Sequence, residues 1–258
     1  MHLCFCVGPA NIALELVGYA ARTEELAQQF FSRFEPRSEL PTWSAELTAD
    51  QQAASHLGAT HLALGPVSPA GRLSYPELPG LPLRHGAPRA LLHGVMGLIA
   101  HFLRRRGDRL VHAAGCVLPN YGSIVAIGIS GAGKSTLTSV LGGEEMGDEG
   151  ITLQRRGQVL VAQACMVPGE RLPDFWDAVP MAALVVPAHE DHTSVTRLRR
   201  NEALIALANA IVRLRGDDLF DDFDWAYHAL ERVPVFRVGW SLAQSPIEEL
   251  KRALDATR

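Results

Sequence analysis

Hydrophobic positions change period several times along the chain, and the changes outline an α/β protein. Leu3 to Val7 alternates as a strand does, and the stretch MHLCFCVGPANIALELVGYAA is read as a first strand and a helix. Residues 22–34 and 44–57 have helix-like spacing, so the chain is expected to open with a small α/β region. From Pro66 to Pro88, PVSPAGRLSYPELPGLPLRHGAP concentrates proline and glycine, which interrupt helical and ladder hydrogen bonding alike. The domain boundary is placed there, giving domains of 1–85 and 86–258.

Past the boundary, RALLHGVMGLIAHFLRRRG sets Leu92, Met96, Ile99 and Leu103 at helical spacing and ends in basic residues and Gly107. This helix is expected to pack on the sheet of the second domain. Two apolar runs, RLVHAAGCVLP and SIVAIGI, flank NYG and predict a hairpin whose second strand enters a glycine-rich loop. QVLVAQACMVP and MAALVVPA predict further strands, and RNEALIALANAIVRLR predicts a helix with Leu204, Leu207, Ala208 and Ile211 on one face.

That glycine-rich loop, GISGAGKS, fills the pattern G-x-x-x-x-G-K-[ST] with Gly128, Gly133, Lys134 and Ser135, between a strand-like and a helix-like run. Glycines let successive backbone N–H groups turn inward, and the start of the following helix adds partial positive charge where phosphates rest. Gly128, Ser130, Gly131, Ala132, Gly133, Lys134, Ser135 and Thr136 are therefore the expected nucleotide cradle. Lys134 is expected to reach the outer phosphates and Ser135 to offer its hydroxyl to Mg²⁺. The loop touches phosphates only, so the choice of adenine or guanine is not readable from it.

Downstream, EEMGDEGITL sets Asp148 beside Glu149 at a strand end. One carboxylate can accept a proton from an attacking hydroxyl while the other helps to hold the metal; a solvated acidic turn is the other reading. His112, alone on an apolar strand, reads either as a packed core histidine or as a group brought to the loop by the hairpin. His189 and His192 have a spacing that suits a metal, but without a third ligand a polar loop is the simpler account. Arg155, Arg156, Arg197, Arg199 and Arg200 read as phosphate-stabilising cations or as a solvated basic face. DDLFDDFDW reads as an acidic helix start with an apolar back.

Composition narrows the classes further. With 258 residues, 47% of them hydrophobic, the chain can bury a full core. Its 24 Lys+Arg against 28 Asp+Glu leave a formal charge of −4, so no global field favours nucleic acid or an anionic membrane. Cys4, Cys6, Cys116 and Cys165 form neither a disulfide framework nor a zinc site, which suits a reducing cytoplasm. Cys4 and Cys6 alternate onto one face of the first strand and are expected to be small core residues. No apolar run approaches the roughly 20 residues needed to span a bilayer.

The segment LVHAAGCVLPNYGSIVAIGISGAGKSTL, followed by GDEGITL, MVPGERLP and RNEALIALANAI, resembles the core of the HPr kinase/phosphorylase family over roughly residues 108–215. That resemblance implies a PEP-carboxykinase-like P-loop fold of the α/β class and ATP-dependent transfer of phosphate to a serine hydroxyl. It also implies Asp148 as the base and His112 near the transferring phosphate, with Mg²⁺ held by Ser135 and Glu149. Three features depart from the family: a shorter interval between Lys134 and Asp148, Glu149 as the second acid, and Thr136 where bifunctional enzymes tend to carry an acid. These argue against reverse dephosphorylation, and an unmatched amino-terminal region argues against HPr as the acceptor. The chain also looks like kinases found alongside ribosomally made modified peptides, lasso peptides among them, which implies a peptide or protein hydroxyl as acceptor. The resemblance suggests homo-oligomers as well. A nucleotide-responsive binding protein and a small-molecule kinase are the alternatives.

Overall fold

The computed structural model describes residues 1–6, 11–17, 21–32, 34–36, 38, 42–49, 72–75, 89–165, 173–214, 217–241 and 244–257. It is an α/β protein whose backbone divides into two compact units. The first takes in residues 1–106 and 212–217 with 166–170, and the second the remainder. Residue 85, where the sequence places the boundary, lies outside the described residues. The helix after it groups with the first unit.

In the first unit, β1 (His2–Cys6), β2 (Asn11–Val17), β3 (Thr42–Ala49) and β4 (Arg72–Tyr75) form a sheet in sequence order. β1 and β2 are antiparallel, and β2, β3 and β4 run parallel. Helix α1 (Ala21–Phe31) crosses between β2 and β3, with the Phe31 ring stacked on Phe5 at 4.2 Å. Two expectations are corrected here. The stretch 11–17 is a strand, because Ile12, Leu14 and Leu16 are the buried set and their period is two. Residues 44–49 also lie in a strand, held by parallel pairing on both sides; 50–57 are outside the described residues. Cys4 is exposed while Leu3 and Phe5 are buried, so its face of β1 is not the core face; the Cys6 side chain is outside the described set.

Helix α2 (Arg89–Arg105) buries Val95, Leu98, Ile99 and Leu103. Phe102 stacks on Trp43 of β3 at 5.0 Å, and the Arg106 guanidinium lies 5.8 Å above the Trp43 ring. These contacts tie α2 to β3 of the first unit's sheet.

The second unit is built on β5 (Arg109–Val111), β6 (Ala113–Leu118), β7 (Gly122–Ile127), β8 (Glu144–Gly147), β9 (Ile151–Arg156), β10 (Val159–Ala164), β11 (Val179–His189), β12 (Ser194–Arg197) and β13 (Val235–Trp240). The sheet runs β5-β9-β10-β11-β7-β6-β8, and the far half of β11 pairs with β13, which in turn pairs with β12. The strands β7, β11 and β13 are parallel. Alternation along β7 sends Ile124 and Ala126 into one core with Leu137, Leu141, Leu250 and Leu254 of helices α3 (Lys134–Leu141) and α6 (Ile247–Asp255). Val125 and Ile127 go into the other, with Leu207, Ala208, Trp225 and Ala226 of α4 (Arg200–Ala210) and α5 (Leu219–Ala229). The sheet is thus the middle layer between two pairs of helices.

The acidic stretch 217–225 becomes the entry to α5. Asp218 caps it by accepting from the Phe220 N–H, and fully buried Asp222 accepts from Arg109 Nε at 3.0 Å. The Arg109 guanidinium also lies 5.5 Å from the Trp225 ring. These acids are therefore part of the scaffold. Among the described residues, no helix is long and apolar enough to cross a membrane.

Candidate functional site

Strand register gathers the candidate residues at one edge of the sheet. β7 ends at Ile127 and its chain turns into the glycine loop. β6 is antiparallel to β7 with Ala113 opposite Ile127, so His112, the residue before β6, stands beside the loop's first glycine. β8 is antiparallel to β6 with Gly147 opposite Gly115, so the chain leaves β8 through Asp148 and Glu149 toward that same edge. The run read as one strand, RLVHAAGCVLP, is in fact two. β5 pairs with β9 and β6 with β7 and β8, and His112 sits at the break, its N–H donating to the Ala210 carbonyl at 2.8 Å.

The loop itself has the backbone a phosphate cradle needs. Gly131 and Gly133 have φ of 78° and 87°, a left-handed conformation that side chains with a Cβ rarely adopt. Gly133 is the N-cap of α3 and no side chain caps the helix start, so its first amides are not taken by a capping oxygen. Ser130, Gly131 and Thr136 are exposed, and Gly128, Ala132, Gly133 and Ser135 are half-buried. Ile129, at the tip, is 83% exposed.

Lys134 is 6% exposed, and its ammonium donates to the Gly128 and Ile129 carbonyls, both at 3.1 Å. Burial pushes its pKa below the ordinary lysine value, while the charges of Glu149 and then Asp148 push it back up. Both carboxylates are therefore near enough to be felt at the ammonium, with Glu149 the stronger influence. Glu149 Oε2 also lies 3.0 Å from His112 Nε2, both side chains being partly exposed. Loop, lysine, histidine and acidic pair thus form one constellation: donors for an anion on one side, proton acceptors on the other.

Other sequence candidates fall elsewhere. Arg155 lies 5.9 Å from the Trp225 ring, and Arg156 donates to Gln154. Arg199 pairs with Glu202, and Arg200 pairs with Glu231 and sits 4.0 Å over Tyr227. His189 and His192 do not share an environment. His192 lies 3.9 Å from Glu190, whereas the His189 ring stands against Gly133 of the loop. Trp240, at the end of β13, stands there too. Sequence reasoning missed Trp240 and read His189 only as a candidate metal ligand, because nothing in the chain told which strands lie beside β7. Among the described residues, no group of three or more His, Cys, Asp or Glu side chains forms a metal cluster.

No protein-family model matches this chain, and no curated protein matches it significantly. Among solved structures, the Hpr(Ser) kinase/phosphatase from Coxiella burnetii is similar over 58% of this chain and 97% of its own, at 14% identity and a TM-score of 0.33. The site is therefore interpreted from its own geometry.

Proposed function

We propose that the chain is an ATP- and Mg²⁺-dependent kinase with a PEP-carboxykinase-like P-loop core, acting on a serine or threonine hydroxyl of a peptide or protein. The observation that carries the proposal is the convergence of a buried ammonium, an uncapped glycine-lined helix start and two carboxylates at one sheet edge. The residues present suit a metal nucleotide. Mg²⁺ keeps several waters and takes only one or two protein ligands besides substrate phosphates, so Ser135 and Glu149 would suffice to hold it. Bound there, it would neutralise phosphate charge.

In this reading the loop amides and Lys134 hold the nucleotide and spread charge from the reacting phosphoryl group. Asp148 takes the proton as the acceptor's hydroxyl oxygen bonds to the γ-phosphorus, and the bond from that phosphorus to the bridging oxygen breaks, releasing ADP. His112 positions Glu149 through their contact. The acceptor we favour is a ribosomally made precursor peptide of the lasso type, phosphorylated in the cytoplasm. The test is transfer of ³²P from ATP to candidate peptides by the parent and by Asp148→Asn. ATP affinity should survive the substitution while transfer falls by a factor of about 10²–10⁴. Transfer at the parental rate would remove Asp148 from the mechanism, and ATP-dependent peptide binding with no phosphate gained would favour a nucleotide-responsive binding protein.

A further inference from the structure

We infer that Trp240 and His189 form a polar wall of the phosphate site, presenting an indole N–H and an imidazole nitrogen to an anionic phosphate oxygen at the amino end of α3. The inference rests on reading residues 128–135 as a polyphosphate cradle, though not on phosphotransfer. Parallel strands in an open sheet deliver ligand-binding groups from their carboxyl ends. Here β7 delivers the loop, while β11 and β13 end in His189 and Trp240, which are register partners. Their ring centroids lie 6.4 Å apart.

Both rings approach the loop at Gly133. A Cβ placed on that glycine would lie 3.3 Å from His189 Cε1, 3.5 Å from His189 Nε2 and 3.7 Å from Trp240 Cζ2. In an indole, Cζ2 and Nε1 are bonded to the same fusion carbon, so the Trp240 N–H lies two bonds from the ring atom that approaches the helix start, and His189 approaches it with Cε1 and Nε2. An N–H and an imidazole nitrogen suit an oxygen anion.

Trp240 is 3% exposed, and its Nε1 has no hydrogen-bond partner among the described residues. Indole nitrogen can only donate, and a buried donor left unmade is costly, so the site is short of one acceptor. His189, the register partner of Trp240 on β11, is exposed, so the wall is open to solvent on that side. A negatively charged oxygen is the acceptor that the uncapped amides and buried Lys134 beside it also favour.

The test uses the full chain with Mg²⁺ and two probes, ATP and inorganic tripolyphosphate, titrated by calorimetry into the parent, Trp240→Phe and His189→Ala. Loss of one charge-assisted hydrogen bond should weaken both probes by about tenfold or more in each variant. In a chain carrying ¹⁵N-labelled tryptophan, the Trp240 indole N–H resonance, assigned through Trp240→Phe, should move downfield as tripolyphosphate saturates the parent. That second measurement stands even where His189→Ala folds poorly. Parental affinities in both variants, or an unmoved indole resonance at saturation, would overturn the wall while leaving the cradle intact. Weakened ATP binding with unchanged tripolyphosphate binding would assign the wall to the nucleoside and overturn the phosphate assignment. A parent that binds neither probe would remove cradle and wall together.

Discussion

Replacing Lys134 by methionine separates what the lysine does for the fold from what it does for a ligand. The side chain is buried, and two of its three ammonium donors are spent on the Gly128 and Ile129 carbonyls. One donor remains for a phosphate oxygen. A single charge-assisted bond of about 1.5–3 kcal/mol corresponds to a loss of roughly 10- to 150-fold in ATP affinity. Stability should move far less. Methionine fills similar space and removes the cost of burying a charge, which offsets two lost bonds of about 1 kcal/mol each, since water can reach the carbonyl of exposed Ile129. The melting temperature should therefore stay within a few degrees of the parent's. The pH dependence has a definite sign. The folded pKa of Lys134 lies below the ordinary 10.5, so between the two values the unfolded chain binds the extra proton. The parent should gain stability relative to Lys134→Met as pH rises through that window, the deficit being fully present below it. Calorimetric titration with ATP and thermal melts at several pH values give both quantities. Unchanged ATP affinity, or a loss of stability above about 3 kcal/mol, would refute the assignment by making the lysine a structural residue.

Other predictions test the scaffold and its charge. In Gly122→Ala a Cβ would lie 2.5 Å from the Pro180 carbonyl oxygen at a φ of 117°, so chemical denaturation should show a loss of about 2–4 kcal/mol. Asp222→Ala leaves the buried Arg109 guanidinium without its inner partner and should cost about 3 kcal/mol in the same assay. Asp148 and Glu149 bring negative charge to the cradle, so ATP binding should fall sharply in EDTA, and Glu149→Gln should reduce that dependence; equal binding with and without Mg²⁺ would contradict the charge argument. Burial and the nearby Glu145 push the Cys116 thiol up to about 12, so peptide mapping after iodoacetamide at pH 8 should find exposed Cys4 alkylated and native Cys116 untouched.

The loop was legible in the sequence because its pattern is local: eight consecutive residues carry both the glycine conformations and the lysine. The hairpin beside it was legible for a related reason, since the turn at NYG fixes which residues of β6 and β7 face each other. Helices α3 and α4 stand where helix-like runs were read, but α4 ends at Ala210, so Ile211 of its expected face lies beyond it, and Leu204 is only half-buried. Strands β2 and β3 did not, because their pairing partners lie in other segments and short apolar runs suit either period. The break at His112 was hidden as well. Only the pairing of β5 with β9 on one side and of β6 with β8 on the other reveals it. His189 and Trp240 were illegible for the same reason, as their nearness to Gly133 depends on the order β13-β11-β7, which no local pattern encodes.

That order also explains why the candidate site holds two kinds of chemistry without mixing them. On one side of β7 the adjacent strand β6 is antiparallel, so its start reaches the loop with His112, and β8, antiparallel to β6 and hence parallel to β7, brings the acidic pair from its carboxyl end. On the other side the neighbours are parallel, so carboxyl ends reach it, bringing His189 and Trp240. His112 and the two carboxylates thus gather on the β6–β8 side and the His189 and Trp240 rings on the β11–β13 side, with the buried ammonium and the uncapped helix start between them. In the proposed reaction, a phosphoryl group held at the loop would meet the two rings on one flank and the carboxylates on the other. Reversing β6 would carry His112 to the opposite end of the sheet, so strand direction contributes to the proposed chemistry alongside the identity of the side chains.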